Sequence, residues 1–398
     1  MNRRKAVLGL ADGSHLLGYC YGSNNIGKGE LVFNTSMSGY QEIITDPSYA
    51  GQIITFTYPH IGNVGVNPDD CEARDILAAG VVLRDPSPIF SNYRAKESLD
   101  EFLKKNNCPA IYGIDTRMLT RKLRDQGCQN SCIVSYGEKN KGVDKKMDEK
   151  QAIAKAIQEA QQMRPIGDSN LAEIASCAKQ AEWLDTLIPD FNDLGDNASP
   201  RAKGKKSPTI YVYDCGLKRN IVRIIKQQGA KVIIVPYASQ AAKIIAAKPD
   251  GILISNGPGD PETCAKIISD IQLFMEQKIP LLGICLGQQL LGLACGAKIK
   301  KMKFGHHGAN HPVKREVDNT VAITSQNHNY TLDDEGLPSN IQVTHRSLFD
   351  NSIQGIKLRD KPVMAFQGHP EASPGPHDIV DVFSDFITMA GGGKANAR

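Results

Sequence analysis

The sequence predicts an α/β protein with two domains, and three observations support this prediction. The chain has 398 residues, more than one ordinary domain contains. From Thr209 onwards, short apolar strands alternate with helical stretches, which is typical of a doubly wound, mostly parallel sheet with helices on both faces. Before residue 150, strand and hairpin signals are mixed with a helix. We therefore predict a mixed α/β domain over 1–150, a variable connecting segment over 151–207, the parallel-sheet domain over 208–390 and a flexible tail over 391–398.

The first domain begins with a predicted hairpin. Lys5–Leu10 and His15–Tyr21 are strand-like, and an Asp-Gly pair between them favours a tight turn. Asp115 can cap a helix over Arg117–Gln126, which Gly127 ends. Three further segments rich in β-branched and aromatic residues are predicted strands: Leu31–Phe33, Gln52–Thr57 and Gly80–Leu83.

The signal weakens in the connecting segment. Lys150–Met163 is predicted to be helical, whereas the basic run Arg201–Pro208 is predicted to be a solvated linker. A patch for nucleic acid or membrane is the alternative interpretation of that run, but it is short and contains Gly and Pro.

The second domain shows four predicted strands separated by three predicted helices, and the last strand runs into Cys285. Because ligands on parallel sheets bind beyond the carboxyl ends of the strands, we expect the chemistry near Gly257 and Cys285. The predicted strands are Thr209–Tyr213, Lys231–Val235, Gly251–Ser255 and Pro280–Ile284. The predicted helices are Lys218–Gln228, Ser239–Ala247 and Pro261–Gln277.

Composition excludes several classes of protein. Hydrophobic residues at 41% and charged residues at 23% are near globular averages, which argues against a disordered chain. The net charge of +4 and the mixing of both signs give little support for nucleic-acid binding. No apolar stretch approaches the ~20 residues that a membrane span needs, and the N-terminal apolar run is too short for a signal peptide. We expect a soluble, cytoplasmic protein.

Two groups of residues raise the alternative of a metal site. The ten cysteines are scattered, and the Cys128/Cys132 pair has no second pair to complete a tetrahedral set. His306, His307 and His311 cluster without a Cys or carboxylate at a convincing ligand spacing, so we expect them to shape a loop over the site. We predict no metal in this chain.

The segment around Cys285 has the pattern of a nucleophile elbow. Gly283 and Gly287 flank Cys285 at two residues on either side, and a sharp strand-to-helix turn would leave no space for a side chain at either glycine. A thiol at a helix N-terminus is favoured as thiolate. The alternative, a buried structural cysteine, remains open on this pentapeptide alone.

Two further features favour catalysis. The loop Ser255–Asp260 is rich in glycine and could offer N–H groups to an oxyanion, whereas its spacing fits neither a P-loop nor a dinucleotide fingerprint. His369 and Glu371 are two residues apart, which in an extended segment would place both side chains on the same side. A cysteine, a histidine base and a carboxylate that orients the histidine form a triad for acyl transfer.

The triad resembles that of the class I glutamine amidotransferases, and motifs across nearly the whole chain resemble the small subunit of carbamoyl-phosphate synthetase. The resemblance is weakest from about Lys139 to Ser207. The motifs are Asn34–Ile43, Thr45–Tyr49, Thr57–Val64, Ile114–Arg117, Lys303–Gly308 and Gln367–His377.

The resemblance implies a set of glutamine-binding residues. The N–H groups of Gly259 and Leu286 would face the oxyanion, and Ser48 would bring the first domain to the site. Gln288 replaces the usual His, and Asn329-Tyr330 replaces the usual Gly-Phe, which affects the expected glutamine affinity. The implied residues are Ser48, Gly257, Gly259, Leu286, Gln289, Asn327, Asn329 and Tyr330.

The resemblance also implies a function. Cys285 would attack glutamine and release ammonia, which would pass to a separate large subunit that uses ATP, a metal ion and bicarbonate to make carbamoyl phosphate. No cofactor is expected in this chain, because no motif in it predicts ATP binding. Two alternatives are a glutaminase that serves another acceptor, which the N-terminal motifs argue against, and a catalytically silent scaffold for the large subunit.

Overall fold

The computed structural model of the protein describes residues 4–137, 147–186 and 207–393. It divides into two compact units, the first ending at Asp168 and the second beginning at Ser169. The predicted linker Arg201–Pro208 lies outside the described residues except for its last two positions, as does most of the predicted C-terminal tail. Among the described residues, no helix is long and apolar enough to cross a membrane.

The first unit contains a closed seven-stranded barrel, in the order β1-β2-β8-β6-β4-β3-β9. Strands β3, β4, β6 and β8 are adjacent and parallel, and antiparallel pairing of β1 with β9 helps to close the barrel. A separate two-stranded ladder joins β5 to β7. The strands of this unit are β1 Lys5–Leu10, β2 His15–Gly22, β3 Gly27–Asn34, β4 Gln52–Phe56, β5 His60–Ile61, β6 Gly80–Val82, β7 Asp85–Pro86, β8 Pro109–Tyr112 and β9 Gln129–Tyr136.

The predicted hairpin and the predicted capped helix are both confirmed. Strand β1 pairs with β2 in antiparallel register, and Asp115 accepts a hydrogen bond from the Met118 N–H at 2.9 Å. The unit ends with α4, which packs on the barrel through Ala152, Ala156 and Ala160. The helices are α1 Tyr40–Thr45, α2 Leu99–Lys105, α3 Thr116–Gln126 and α4 Glu149–Gln162.

The second unit is built on a ten-stranded sheet, in the order β10-β12-β11-β13-β14-β19-β18-β17-β15-β16. The five adjacent strands from β12 to β19 run parallel; the strand-helix pattern predicted four of them, β11 to β14, and β19 adds a fifth. The other half is antiparallel because β15 to β19 follow one another without helical crossovers, which adds antiparallel strands to the predicted mostly parallel sheet. The strands are β10 Ala181–Trp183, β11 Thr209–Asp214, β12 Lys231–Pro236, β13 Gly251–Ile254, β14 Leu281–Ile284, β15 Ile299–Arg315, β16 Val321–Leu332, β17 Ile341–Ser347, β18 Ile353–Leu358 and β19 Val363–Phe366.

Apolar cores lie on both faces of this sheet. One is formed with α8 and α9 and includes Phe274 and Leu290, and the other is formed with α6 and α10 and includes Ile221 and Phe383. Because both faces of the parallel strands are buried, their sequences are continuous apolar runs. The helices are α5 Leu171–Ala175, α6 Arg219–Gln227, α7 Ala241–Ala246, α8 Ala265–Glu276, α9 Leu286–Ala294 and α10 Asp381–Ala390.

Candidate active site

Cys285 lies at the sharp turn between β14 and α9. Its φ of 53° and ψ of −105° are unusual for a residue with a side chain, a strain that clusters at functional sites. A Cβ on Gly283 would be 2.5 Å from the Gly287 carbonyl oxygen, and one on Gly287 would be 2.2 Å from the Ile254 carbonyl oxygen. The predicted need for glycine on both sides of the cysteine is thus met by backbone contacts, which no rotamer change can relieve.

The Cys285 thiol is buried at the carboxyl edge of the parallel strands. Its Sγ is 3.5 Å from the Asn327 carbonyl oxygen, to which it can donate, and 3.8 Å from the Gln367 Nε2. Cys285 also precedes the first residue of α9, so its sulfur is at the positive end of the helix dipole. Both features suit a sulfur that must carry negative charge during a reaction.

His369 and Glu371 form the short contact that the sequence predicted, but with a different backbone. His369 Nδ1 is 2.6 Å from Glu371 Oε1. Strand β19 ends at Phe366, and His369 to Glu371 lie in a turn in which the Ala372 N–H donates to the His369 carbonyl at 3.0 Å. The expectation of an extended segment was wrong, because the chain bends so that both side chains turn inward together.

Lys218, which the sequence analysis did not single out, completes this group. Its Nζ is 2.9 Å from Glu371 Oε1 and donates to the Ala372 carbonyl at 2.6 Å. Asn220 donates to the Glu371 carbonyl at 2.6 Å. Both residues follow β11, whose carboxyl end lies at the same edge of the sheet as that of β14, so strand-end position was the signal that could have found them.

Charge is tightly balanced in this group. Burial alone would raise the pKa of Glu371, but the Lys218 ammonium and His369 outweigh it and lower that pKa to about 2. Burial alone would lower the pKa of His369, but the charges of Glu371 and Cys285 raise it to about 10. His369 therefore holds a proton at neutral pH when Cys285 is a thiolate.

The second ring nitrogen of His369 is positioned for proton transfer. Nε2 is buried and has no hydrogen-bond partner among the described residues, and Cys285 is near enough to raise the pKa of the ring. Nδ1 is committed to Glu371, so Nε2 is the atom that remains to exchange a proton with a reacting group.

Four of the predicted glutamine-binding residues lie around the elbow. Gly257 packs so closely that a Cβ would be 2.0 Å from the Cys215 carbonyl oxygen, and Gly259 has a left-handed φ of 90°. Leu286 is the first residue of α9, where an N–H has no partner within the helix. Gln289 Nε2 donates to the Tyr330 carbonyl at 2.8 Å, which ties α9 to β16.

Three more predicted residues, Asn327, Asn329 and Tyr330, lie on β16. The His307 ring contacts Asn327 Oδ1 through Nδ1 and Asn329 Oδ1 through Nε2, each at 2.9 Å. His307 thus holds both amides in place, a role that the sequence analysis missed. We expected His306, His307 and His311 to shape a loop over the site, and this expectation was wrong. All three lie in strand β15, because the long β15/β16 hairpin extends through them.

Two histidines of this hairpin, His311 and His328, are buried and have lowered pKa values. Burial, together with His306 and His307, lowers the pKa of His311 to about 3, and burial with His306 lowers the pKa of His328 well below its usual value. Within the described ranges, no group of three His, Cys, Asp or Glu residues could hold a metal ion. The alternative of a zinc site at the histidines or at Cys128 and Cys132 therefore gains no support.

Ser48 is the predicted glutamine-binding residue of the first unit. It is buried in a 3-10 turn, Pro47–Tyr49, where its N–H donates to Asp46 Oδ1 at 2.9 Å. Its contribution to glutamine binding remains a prediction of the resemblance.

Comparison with known proteins agrees with this architecture. Residues 8–133 match the family model of the carbamoyl-phosphate synthase small chain, CPSase domain, and residues 211–389 match that of the class-I glutamine amidotransferases. A carbamoyl phosphate synthase small chain from Pectobacterium atrosepticum is 46% identical over 99% of this chain and 100% of the relative. The chain belongs to the family of carbamoyl phosphate synthase small chains.

Other small chains are equally similar over nearly their full length. The relative from Thioalkalivibrio sulfidiphilus is 48% identical over 98% of each chain, and that from Vibrio cholerae is 47% identical over 97% of this chain and 98% of its own. The family resemblance inferred from the motifs is confirmed. The prediction of a glutamine amidotransferase domain that follows the N-terminal domain in the sequence is also confirmed.

Proposed function

We propose that this chain hydrolyses the side-chain amide of L-glutamine, with Cys285 as nucleophile, His369 as proton carrier and Glu371 as the group that orients the imidazole. The observation that carries the proposal is the buried Lys218-Glu371-His369 group beside a cysteine at a strained elbow. A surface His-Glu pair would have neither the burial nor the second cation.

The reaction follows from the charges of these groups. The Cys285 thiolate attacks the amide carbon Cδ, and the oxygen that becomes negative is stabilised by the N–H groups of Gly259 and Leu286. His369 Nε2 then donates its proton to the amide nitrogen, the C–N bond breaks and ammonia leaves. Water attacks the γ-glutamyl thioester as His369 takes its proton, and the C–S bond breaks to give glutamate and the thiolate. Glutamine and one water thus become glutamate and ammonia.

The substrate's charged ends require polar partners beyond the triad. Gln289, Asn327, Asn329 and Tyr330, with the Gly257 backbone, supply amide, hydroxyl and main-chain groups around the elbow, which suits an α-amino and α-carboxyl pair. His307 fixes Asn327 and Asn329, so the site is organised before substrate arrives.

We further propose that the ammonia is delivered to a large subunit, which holds the ATP, metal-ion and bicarbonate chemistry that makes carbamoyl phosphate. Membership of the small-chain family supports such a partner. We assign the complex to the cytoplasm. All ten cysteines are free thiols, which suits a reducing compartment.

Replacement of Cys285 by serine tests the proposal. The change keeps the shape of the side chain but removes a readily ionised nucleophile, so glutamine-dependent carbamoyl phosphate synthesis by the reconstituted complex should collapse. Synthesis from added ammonium salt should persist. Cys295→Ser is the matched control, since Cys295 lies at the other end of the same helix and should leave both rates unchanged.

Each outcome separates the alternatives. If the Cys285→Ser complex keeps its glutamine-dependent rate, the nucleophile assignment is wrong. If the wild-type complex makes carbamoyl phosphate from ammonium salt but never from glutamine, the chain is a silent scaffold. If the isolated chain hydrolyses glutamine but no large subunit binds it, the ammonia serves another acceptor.

A further inference from the structure

A cavity of about 890 Å³ in the first unit has no part in the proposed glutamine chemistry. Four arginines line it: Arg84, Arg117, Arg121 and Arg124. No aspartate or glutamate is among the lining residues, so the cavity is strongly positive.

The barrel places this cavity at the carboxyl edge of four adjacent parallel strands. Thr35, Thr57 and Arg84 follow β3, β4 and β6, and α3 begins just after β8. This edge of a parallel sheet is where ligands and partners are usually bound. It is also where three of the motifs singled out from the sequence meet, namely Asn34–Ile43, Thr57–Val64 and Ile114–Arg117.

Two of the three cavity-lining arginines of α3 make no ion pair with any described residue. Arg117, Arg121 and Arg124 are spaced by four and three residues, so like charges lie together on one helix face and disfavour the helix. Arg124 pairs with the adjacent Asp125 at 2.8 Å, whereas Arg84, Arg117 and Arg121 make no ion pair with any residue in the described ranges. An uncompensated cost of this kind indicates a function.

Exposed apolar side chains lie in the segments that follow two cavity-lining residues, Pro59 and Arg84. Strand β5 follows Pro59, a lining residue, and pairs with β7, which directly follows Arg84. Beyond these strands, Ile89 is 79% exposed and Tyr93 is 81% exposed. Val64 and Phe90 are also exposed. Large apolar and aromatic side chains beside arginines are the composition of protein interfaces, whereas an inorganic anion would gain nothing from the apolar part.

We propose that this arginine face, Arg84, Arg117, Arg121 and Arg124 together with Ile89 and Tyr93, is the docking surface for an acidic, partly apolar surface of the large chain that consumes the ammonia. Charge complementarity favours this occupant, because acidic groups would neutralise Arg84, Arg117 and Arg121, which make no ion pair in the described ranges. The proposal rests on the proposed function only for the identity of the partner.

Charge reversal tests the docking surface. The double variant Arg117→Glu with Arg121→Glu should bind the purified large chain at least about tenfold more weakly than wild type in isothermal titration calorimetry at moderate salt. The matched control is Lys150→Glu with Lys243→Glu, which changes the net charge equally at two exposed helical lysines that make no ion pair in the described ranges. It should bind within about twofold of wild type.

Glutamine hydrolysis by the isolated variants separates this proposal from the proposed function. The arginine variant should hydrolyse glutamine as the isolated wild-type chain does, because none of the changed residues belongs to the triad. If the wild-type chain does not hydrolyse glutamine, the proposed function is overturned, but the binding result still stands. Ile89→Asp, a change at a highly exposed position, gives a second variant that should weaken association if the double variant fails to fold.

Two results would overturn the docking proposal. One is an affinity for the large chain that is equal to wild type in both the Arg117→Glu, Arg121→Glu variant and the Ile89→Asp variant. The other is a small-anion site: inorganic phosphate would then raise the melting temperature of wild type but not of the arginine variant, with large-chain binding unchanged in both. Docking through charge is supported if the double variant binds more weakly than wild type and if added salt also weakens binding of the wild type.

Discussion

Removal of the Lys218 ammonium is the sharpest test of how the catalytic carboxylate is held. Lys218 is 2% exposed and Glu371 is 0% exposed, so Lys218→Met would leave a buried carboxylate with one cationic partner fewer. Within the described ranges Glu371 Oε2 has no hydrogen-bond partner, and the contacts of the carboxylate with Lys218 and His369 are both made by Oε1. His369 alone would then compensate the charge.

The expected size of the effect follows from burial. Breaking a buried ion pair by removing one partner costs about 3–5 kcal/mol, and we expect the lower end because His369 remains. Lys231→Met is the control in the same unit, since the Lys231–Glu182 pair at 3.3 Å is half-exposed and should cost at most about 1 kcal/mol. Urea unfolding of both variants, followed through the transition of the second unit, measures the difference.

Catalysis and acid stability should change together in Lys218→Met. A less firmly held Glu371 orients His369 less well. We therefore expect kcat/KM for glutamine to fall on the order of 10- to 100-fold, which is part of the rate enhancement of ~10²–10⁴-fold that general acid–base catalysis contributes. The lowered pKa of Glu371 gives stability that is present above its unfolded value and lost as pH falls toward 2. Without Lys218 that pKa rises toward the unfolded value, so less stability should be lost on acidification and the loss should be complete at a higher pH than in wild type.

Lys218 does not hold the carboxylate if Lys218→Met is no less stable than Lys231→Met and hydrolyses glutamine at a rate within about twofold of wild type.

Three further predictions concern other parts of the site. Glu371→Gln should move the alkaline limb of the pH profile of kcat/KM to lower pH, because the Glu371 charge acts with that of Cys285 to raise the pKa of His369 to about 10; an unmoved limb would contradict this. Gly287→Ala should cost at least about 3 kcal/mol of stability through its backbone clash, whereas Gly336→Ala, with open space around it and a left-handed φ, should cost about 1 kcal/mol; calorimetric melting compares them. Ser48→Ala should raise the KM for glutamine about tenfold or more, as expected for a lost hydrogen bond to a charged end, and an unchanged KM would remove Ser48 from the site.

Elements with local sequence signals could be predicted without the structure. The strand-helix alternation, the Asp115 cap and the glycines at the elbow depend on neighbours within a few residues, and the structure confirms all of them. The catalytic candidates Cys285 and His369 were found in the same way, because a nucleophile elbow and a His-x-Glu spacing are short patterns.

The contacts between residues that are distant in the sequence depend on the tertiary fold. Lys218 reaches Glu371 because β11, β13, β14 and β19 are neighbours in the sheet, an order that no periodicity encodes. His307 contacts two asparagines through the register of β15 against β16, and a one-residue slip would turn it to the other face. The turn at His369 likewise depends on pairing with Ser325, so its bend could not be read from local alternation. Local preference is set by adjacent residues, whereas the meeting of strand ends is set by the packing of the whole sheet.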